Sequence, residues 1–220
     1  MDPKDIVRTG YDTLSYLYRK DDDSPVNLTR WAHLLVETLR PVREARVLEL
    51  GCRCDIPVAR TLAGAGLHLV GVDISTVQIK RAKELIPEGQ FFRADITDIV
   101  RDSAEGELQD IILNNAPFDA VVAFHVLIHI PVGEQVALFR HLGNWAQLGG
   151  YCMMTVGVTS WTGEVKGWMG SDQETRMWWS QASLNNYREW AEDGGFEIIR
   201  EAHAEGGSEG HQFLLLKRSM

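Results

Sequence analysis

Three acids recur at one kind of place in this chain, at the end of a short apolar run: Glu49 in Val47-Leu-Glu-Leu-Gly51, Asp73 in Val70-Gly-Val-Asp73, and Asp95 in Arg93-Ala-Asp95. An apolar run ending in an acid and a glycine, then a helical stretch, then a second apolar run ending in an acid is the sequence form of a βαβ unit. Asp73 stands 73 − 51 = 22 positions beyond Gly51, close to the roughly 20 expected of an acid that accepts hydrogen bonds from ribose hydroxyls. Arg53 and Asp55 interrupt the turn between the two runs, so no intact G-x-G-x-x-G opens the first helix, which argues against a nicotinamide dehydrogenase. Two histidines, His125 and His129, fall in Phe124-His-Val-Leu-Ile-His-Ile-Pro131 and bring groups that exchange protons near neutral pH. Trp161, Trp168, Met169, Met177, Trp178 and Trp179 crowd a segment broken by Gly163, Gly167 and Gly170, which argues against a long buried helix there. Such a segment is either a hydrophobic plug between sheet and C-terminal helix or a lid over an apolar or aromatic metabolite, closed from the other side by Tyr11, Tyr16 and Tyr18.

The elements that must position these groups alternate. Helices are expected from Asp5 to Arg19 and Leu28 to Leu39, separated by the charged, proline-containing turn Lys20 to Pro25, and together they read as an N-terminal lid. Strands are expected near Arg46 to Leu50, His68 to Asp73, Gln90 to Ala94, Asp119 to Phe124, Tyr151 to Val156, Glu197 to Glu201 and Gln212 to Lys217, with helices between the first five. The pattern predicts an α/β fold with a mostly parallel, doubly wound, Rossmann-like sheet, whose ligands bind at the carboxyl ends of its strands, where the acids fall. It also predicts one domain over residues 1–220, with a helical lid at 1–40 and an α/β core at 41–220. Asp55 precedes Ile56-Pro57 and reads as a helix N-cap, and Ala204 to Gly210 reads as a hairpin loop.

The chain's 220 residues, 45% hydrophobic, are enough for one globular domain with a sizeable core. A net charge of −9 with unclustered Lys and Arg makes nucleic acid a poor partner. No run of about 18 apolar residues suggests a membrane span, and Met-Asp-Pro-Lys-Asp-Ile lacks the layout of a secretory signal, so a cytoplasmic protein is expected. Cys52 and Cys54 form a C-x-C pair that no second pair or histidine cluster completes, so the three cysteines are expected reduced and no metal is expected.

The blocks from Val47 to the C-terminal strand resemble class I S-adenosylmethionine-dependent methyltransferases, especially the small single-domain ones acting on metabolites. That family's first motif reads roughly V-L-D/E-L-G-C-G-x-G; Glu49 and Gly51 match it, and Arg53 and Asp55 stand at its second and third glycines. Gly71-Val-Asp-Ile-Ser75 with Gln78 and Ala82 resembles the ribose-binding strand end and its helix, and Arg93-Ala-Asp95-Ile96 the adenine block. Phe118 to Pro131 resembles the fourth strand and the loop beside the transferable methyl, and Leu148-Gly-Gly150 the turn before the fifth strand. The resemblance implies a seven-stranded order 3-2-1-4-5-7-6 with the last strand antiparallel. It implies S-adenosylmethionine or S-adenosylhomocysteine as cofactor, with Asp73 on the ribose, Asp95 on the adenine amino group between Ile74 and Ile96, and Glu49 under the methionine amino group. Gly51, Cys52, Gln78 and Phe124 complete the expected cofactor-binding set.

Arg53 would cost roughly 1–2 kcal/mol in a left-handed conformation. Its side chain either fills the methionine end of the pocket, leaving no cofactor bound, or pairs with the cofactor's carboxylate. Asp55, as an N-cap, competes for the helix dipole. Methyl transfer is an in-line displacement, so alignment and desolvation do most of it and a base is needed only for a protonated nucleophile. His125 is the expected base and Arg53 an electrostatic aid. The expected substrate-binding residues are Tyr11, Tyr16, His129, Trp161, Trp168, Met169, Trp178 and Trp179, with His129 also holding its turn. Relatives often carry a histidine in a W-S-H-A run where this chain has Gln181. The expected function is methyl transfer to an O or N atom of a small apolar or aromatic metabolite; alternatives are a cyclase or isomerase on the same fold, and a catalytically silent partner subunit.

Overall fold

A computed structural model describes residues 1–20, 26–54, 56–100, 112, 117–172, 174–204 and 210–219. Asp55, the turn at 21–25 and most of the loop at 204–210 lie outside the described residues, and with them the expected cap, turn and hairpin loop. Helix α1 (Pro3–Tyr18) starts where Asp2 caps the Lys4 amide at 2.9 Å and Pro3 supplies a preset first turn. Its buried residues Ile6, Val7, Gly10, Tyr11, Leu14 and Ser15 form one stripe. Helix α2 (Val26–Leu39) differs from the lid expected at 1–40, because Trp31, Ala32, Leu35 and Leu39 are buried in the sheet's core, where Trp31 stacks on Phe213. Of these two helices, α1 is the one that reaches the cavity at the strand ends, through Lys4, Val7 and Tyr11.

The alternation then proceeds as β1 (Arg46–Leu50), α3 (Ile56–Gly64), β2 (His68–Asp73), α4 (Thr76–Leu85), β3 (Gln90–Arg93), α5 (Ile96–Val100) and β4 (Phe118–Ala123). A 3-10 turn (Leu127–His129), α6 (Val132–Trp145) and β5 (Ala146–Gly157) follow. The chain ends with β6 (Trp161–Lys166), a second 3-10 turn (Trp168–Gly170), β7 (Arg176–Gln181), α7 (Leu184–Asp193), β8 (Phe196–His203) and β9 (His211–Arg218). The main sheet runs β3-β2-β1-β4-β5-β9-β8, with β9 antiparallel to both neighbours. This is the expected order once the separate antiparallel hairpin β6–β7 is counted, and that hairpin is the aromatic segment itself.

Alternate strand residues feed two cores, Leu48, Val70 and Val121 on one face, Val47, Leu69 and Val122 on the other. The expected turn at Leu148-Gly-Gly150 is instead an irregularity inside β5, where the register jumps from Phe118↔Ala146 to Ala120↔Tyr151. Gly149 takes φ 80° there, and a Cβ on Gly150 would fall 2.9 Å from the Asp119 carbonyl.

Candidate active site

Strands β1, β2 and β3 end side by side, so the loops after them bring Gly51, Arg53, Asp73, Ile74, Ala94, Asp95 and Ile96 to one cavity. His125, Val126, His129 and Ile130 close it from the loop after β4, and Lys4, Val7 and Tyr11 close it from α1. Gly51 adopts φ 64°, and a Cβ there would lie 2.5 Å from Val126, so only glycine lets this loop approach so closely. Arg53 adopts φ 53° with a buried side chain. Its amide donates to Asp73 Oδ2 at 2.9 Å, and its Nη1 donates to the Tyr18 hydroxyl at 2.8 Å. Asp73 Oδ1 accepts the Ser75 amide at 2.8 Å. Burial still pushes the Asp73 carboxyl up to about 6, against those two amides and the Arg53 charge.

Asp95 accepts the Thr97 amide and hydroxyl on Oδ1 at 2.8 and 2.9 Å, and Lys4 Nζ lies 2.8 Å from its Oδ2. Lys4 also reaches Thr97 Oγ1 at 2.8 Å and Glu134 at 3.3 Å. Burial lowers the affinity of Lys4 for its proton, but the bond and charge of Asp95, with Glu134, more than offset that and leave it raised. Further along α1, Asp12 Oδ1 accepts Ser75 Oγ at 2.6 Å and the Val77 amide at 3.1 Å. Arg81 donates to the Ser15 and Arg19 carbonyls, both at 2.7 Å, at the end of α1, where the Ser15 carbonyl also accepts the Arg19 amide at 3.1 Å. Helix α1 is thus a strap tied at several points across the strand ends.

His129 joins three elements. The Trp178 carbonyl can only accept, so His129 Nδ1 carries the proton across the 2.8 Å contact. The neutral ring then leaves Nε2 to accept from the Tyr11 hydroxyl at 2.9 Å. Burial pulls the His129 imidazole down to about 4, and pushes the Tyr11 hydroxyl well up. Around this pair Tyr11, Tyr18, Trp168 and Trp179 form an aromatic group, with Tyr11 and Trp168 edge-on at 5.8 Å and Trp168 and Trp179 at 5.6 Å.

The cavity holds ≈ 50 Å³ of space in this closed arrangement, whereas pockets for ligands of drug size run to about 300–1,000 Å³. A roomier groove of ≈ 270 Å³ lies at the opposite strand ends among Arg46, His68, Glu88 and Gln90. Open α/β sheets bind ligands at the carboxyl ends, so the smaller cavity is the one with the chemistry.

A family model described as a methyltransferase domain matches residues 22–201. The chain belongs to that family. The methyltransferase fold recurs in solved structures at low identity. Magnesium protoporphyrin IX methyltransferase from Synechocystis PCC 6803 with bound SAH is 19% identical, with TM-score 0.70 over 99% of this chain and 100% of that one. The CcbJ methyltransferase from Streptomyces caelestis is 14% identical, with TM-score 0.70 over 98% of this chain and 99% of that one. The 4+2 cyclase SpnF is 15% identical, with TM-score 0.63 over 96% of this chain and 94% of that one.

Within this methyltransferase fold, Gly51, Asp73, Ile74, Asp95 and Ile96 of the expected cofactor set line the cavity. Glu49, Cys52, Gln78 and Phe124 are buried and do not line it. Gln78 instead accepts from Ser15 Oγ at 3.0 Å and the Cys54 amide at 3.1 Å, tying α1 and the glycine turn to α4, and Phe124 packs towards Phe213 in the core. Of the expected substrate residues only Tyr11 and His129 line the cavity, with Trp168 and Trp179 packed behind them. Trp178 contributes through its carbonyl.

Tyr16 does not face the site: it is 61% exposed and lies under Arg81, 4.1 Å from ring centroid to guanidinium. The helical period explains this, since Tyr16 falls outside the buried stripe of α1. Trp161 and Met169 are 46% and 45% exposed at the rim of the hairpin. His125 lines the cavity as expected, but burial and then the Arg53 charge hold its imidazole at about 3, which makes it a poor base near neutral pH. Gln181 donates to the Thr159 carbonyl at 2.9 Å and closes the base of the hairpin. Among the described residues no group of three or more His, Cys, Asp or Glu is placed to hold a metal, and no helix is long and apolar enough to cross a membrane. The local pattern does not mark Lys4, Asp12, Ser15 and Arg81, whose partners lie 62 to 130 positions away.

Proposed function

We propose that this chain is a single-domain methyltransferase that binds S-adenosylmethionine and transfers its methyl to an O or N atom of a small apolar or aromatic metabolite. The observation that carries the reading is the convergence of Asp73, Asp95, Ile74, Ile96 and the bare Gly51 on one cavity that also presents the Tyr11–His129 pair. The donor set fits an adenosyl group: two carboxylates for hydroxyl and amino donors, two isoleucines for the faces of a base, and a glycine cradle that a Cβ would fill. Its space fits only once α1 withdraws. When bound, S-adenosylmethionine supplies an electrophilic methyl on a sulfonium.

The protein's part is to hold the acceptor in line, exclude water beneath α1, and accept a proton where the acceptor carries one. Tyr11 is placed for that last task, since its oxygen can take a proton while its own passes to His129 Nε2, and the Trp178 carbonyl steadies Nδ1–H. An imidazole held at about 4 is a weak base near neutral pH, so the pair suits an acceptor that needs no prior deprotonation, such as an amine that is already neutral.

Calorimetric titration with S-adenosylmethionine and S-adenosylhomocysteine, with Asp73→Ala as control, tests the reading. Micromolar binding lost in the variant supports it, and no binding of either compound sinks it. A cyclase or isomerase reading is favoured by one observation: with the Arg53 side chain tied to Tyr18 of α1, the cavity they line holds only ≈ 50 Å³. In that case the wild-type chain ignores both compounds.

A further inference from the structure

We propose that Arg53 and Tyr18 form a carboxylate-reading site at the far end of the adenosyl pocket, so that this chain selects ligands bearing an amino-acid tail over the bare nucleoside thioether. The inference rests on the cofactor reading above. It begins from a conformation that arginine rarely takes: φ is 53° at Arg53, in the region where glycine is at ease and other residues are strained.

Two contacts fix what this strained residue does. Its amide donates to Asp73 Oδ2, so its backbone is locked beside the acid that faces the ribose. Its side chain turns inward, lines the cavity and donates from Nη1 to Tyr18 on α1, with Cζ 6.0 Å from the Tyr18 ring centre.

The direction of a bound nucleoside follows from the same geometry. Adenosine spanning Asp95 and Asp73 leaves its 5′ substituent free to run on past Asp73 to Gly51 and Arg53, which line the same cavity, Arg53 with its amide 2.9 Å from Asp73 Oδ2. The one anionic group on the 5′ substituent of S-adenosylhomocysteine is its carboxylate. A guanidinium presents a rigid fork of N–H donors that matches a carboxylate two bonds at a time, in a buried setting where such bonds are strong. The charge is already felt across the site, where it lowers the proton affinity of His125, His129 and Tyr11. Because Tyr18 belongs to α1, a tail that engages Arg53 also meets the strap that closes over it.

The test is calorimetry on the full chain at pH 7.5 with two probes, S-adenosylhomocysteine and 5′-methylthioadenosine, which lacks the amino-acid end. Arg53→Met is expected to weaken S-adenosylhomocysteine about 10- to 100-fold and to leave 5′-methylthioadenosine within about threefold of wild type. Arg53→Lys should fall between, since it keeps the charge and loses the fork. Arg53→Gly guards against misfolding: relief of the left-handed strain should raise its melting temperature while S-adenosylhomocysteine still binds more weakly. The proposal is overturned if Arg53→Met leaves S-adenosylhomocysteine unchanged, or if it tightens both probes, which would make Arg53 an obstruction. Binding of 5′-methylthioadenosine with either of those outcomes keeps the cofactor reading and removes this one. Binding of neither probe by wild type removes both.

Discussion

Lys4 Nζ sits 2.8 Å from Asp95 Oδ2, so a cation from the first turn of α1 occupies the carboxylate that the adenine amino group is expected to use. On the proposed reading, cofactor and strap compete for one acid. Lys4→Met should therefore speed association of S-adenosylhomocysteine about 3- to 10-fold, the size of a partly exposed ion pair of about 1 kcal/mol. Stopped-flow mixing measures it. An unchanged or slower rate would show that Lys4 does not stand in the way.

Tyr11 and His129 are tied through a buried hydrogen bond at 2.9 Å. Tyr11→Phe removes the donor and leaves Nε2 facing apolar neighbours, so it should cost about 1–3 kcal/mol in urea unfolding. With a methyl acceptor in hand, the same variant should lower kcat about 10- to 100-fold with little change in KM, because a proton relay acts in the transition state. A variant of normal stability and rate would make the pair dispensable.

On the proposed reading Asp73 accepts the ribose hydroxyls as a carboxylate, its stronger acceptor form, and burial holds its carboxyl at about 6 in the fold against an ordinary 3.8. The sign follows directly. As pH rises from about 3.8 to 6, the folded state keeps a proton that the unfolded chain has released, so stability from this group falls across that window. Binding runs the other way and weakens as pH falls through about 6. S-adenosylhomocysteine should bind about tenfold more weakly at pH 5 than at pH 7, and Asp73→Asn should bind weakly with a flat profile. A flat wild-type profile would take Asp73 out of the ribose site.

Gly10 lies where α1 passes close against β7. A Cβ there would meet the Arg176 carbonyl and Met177 Cε, both at 2.8 Å. Gly10→Ala should push the strap off the hairpin and cost about 1–3 kcal/mol by overpacking, despite alanine's better helix propensity. Hydrogen exchange should then quicken along α1 and stay unchanged in β1 and β4. Uniform exchange across the chain would mean that α1 does not move as a unit.

Much of this was legible in the sequence because it is written locally. Short apolar runs mark β1, β2, β4 and β9, a period of three to four marks α1, and an acid that ends a parallel strand lies at the ligand-binding edge whatever surrounds it. Asp73, Asp95 and Gly51 stand out that way, Ile74 and Ile96 are implied by the family resemblance, and the cavity contains them all. The aromatic segment was found by composition, but its form was not, since a β-hairpin between glycines and a plug look alike until Trp161 to Lys166 pairs with Arg176 to Gln181.

Tertiary structure alone decided which groups work together. His125 and His129 are four residues apart and look equivalent in sequence, yet only His129 meets both a carbonyl and a hydroxyl, because α1 and β7 arrive on its two sides. Tyr11, Tyr16 and Tyr18 likewise look alike, until the helical period sends Tyr16 to Arg81 and the others inward. Lys4 finds Asp95 and Arg81 finds Ser15 across 91 and 66 positions, distances that chain folding closes and that no local pattern encodes. The sequence by itself determined the strands and the acids at their ends, since both follow from short apolar runs, with the strand order implied by the family resemblance; the strap, the histidine pairing and the direction of Arg53 follow from packing between distant elements.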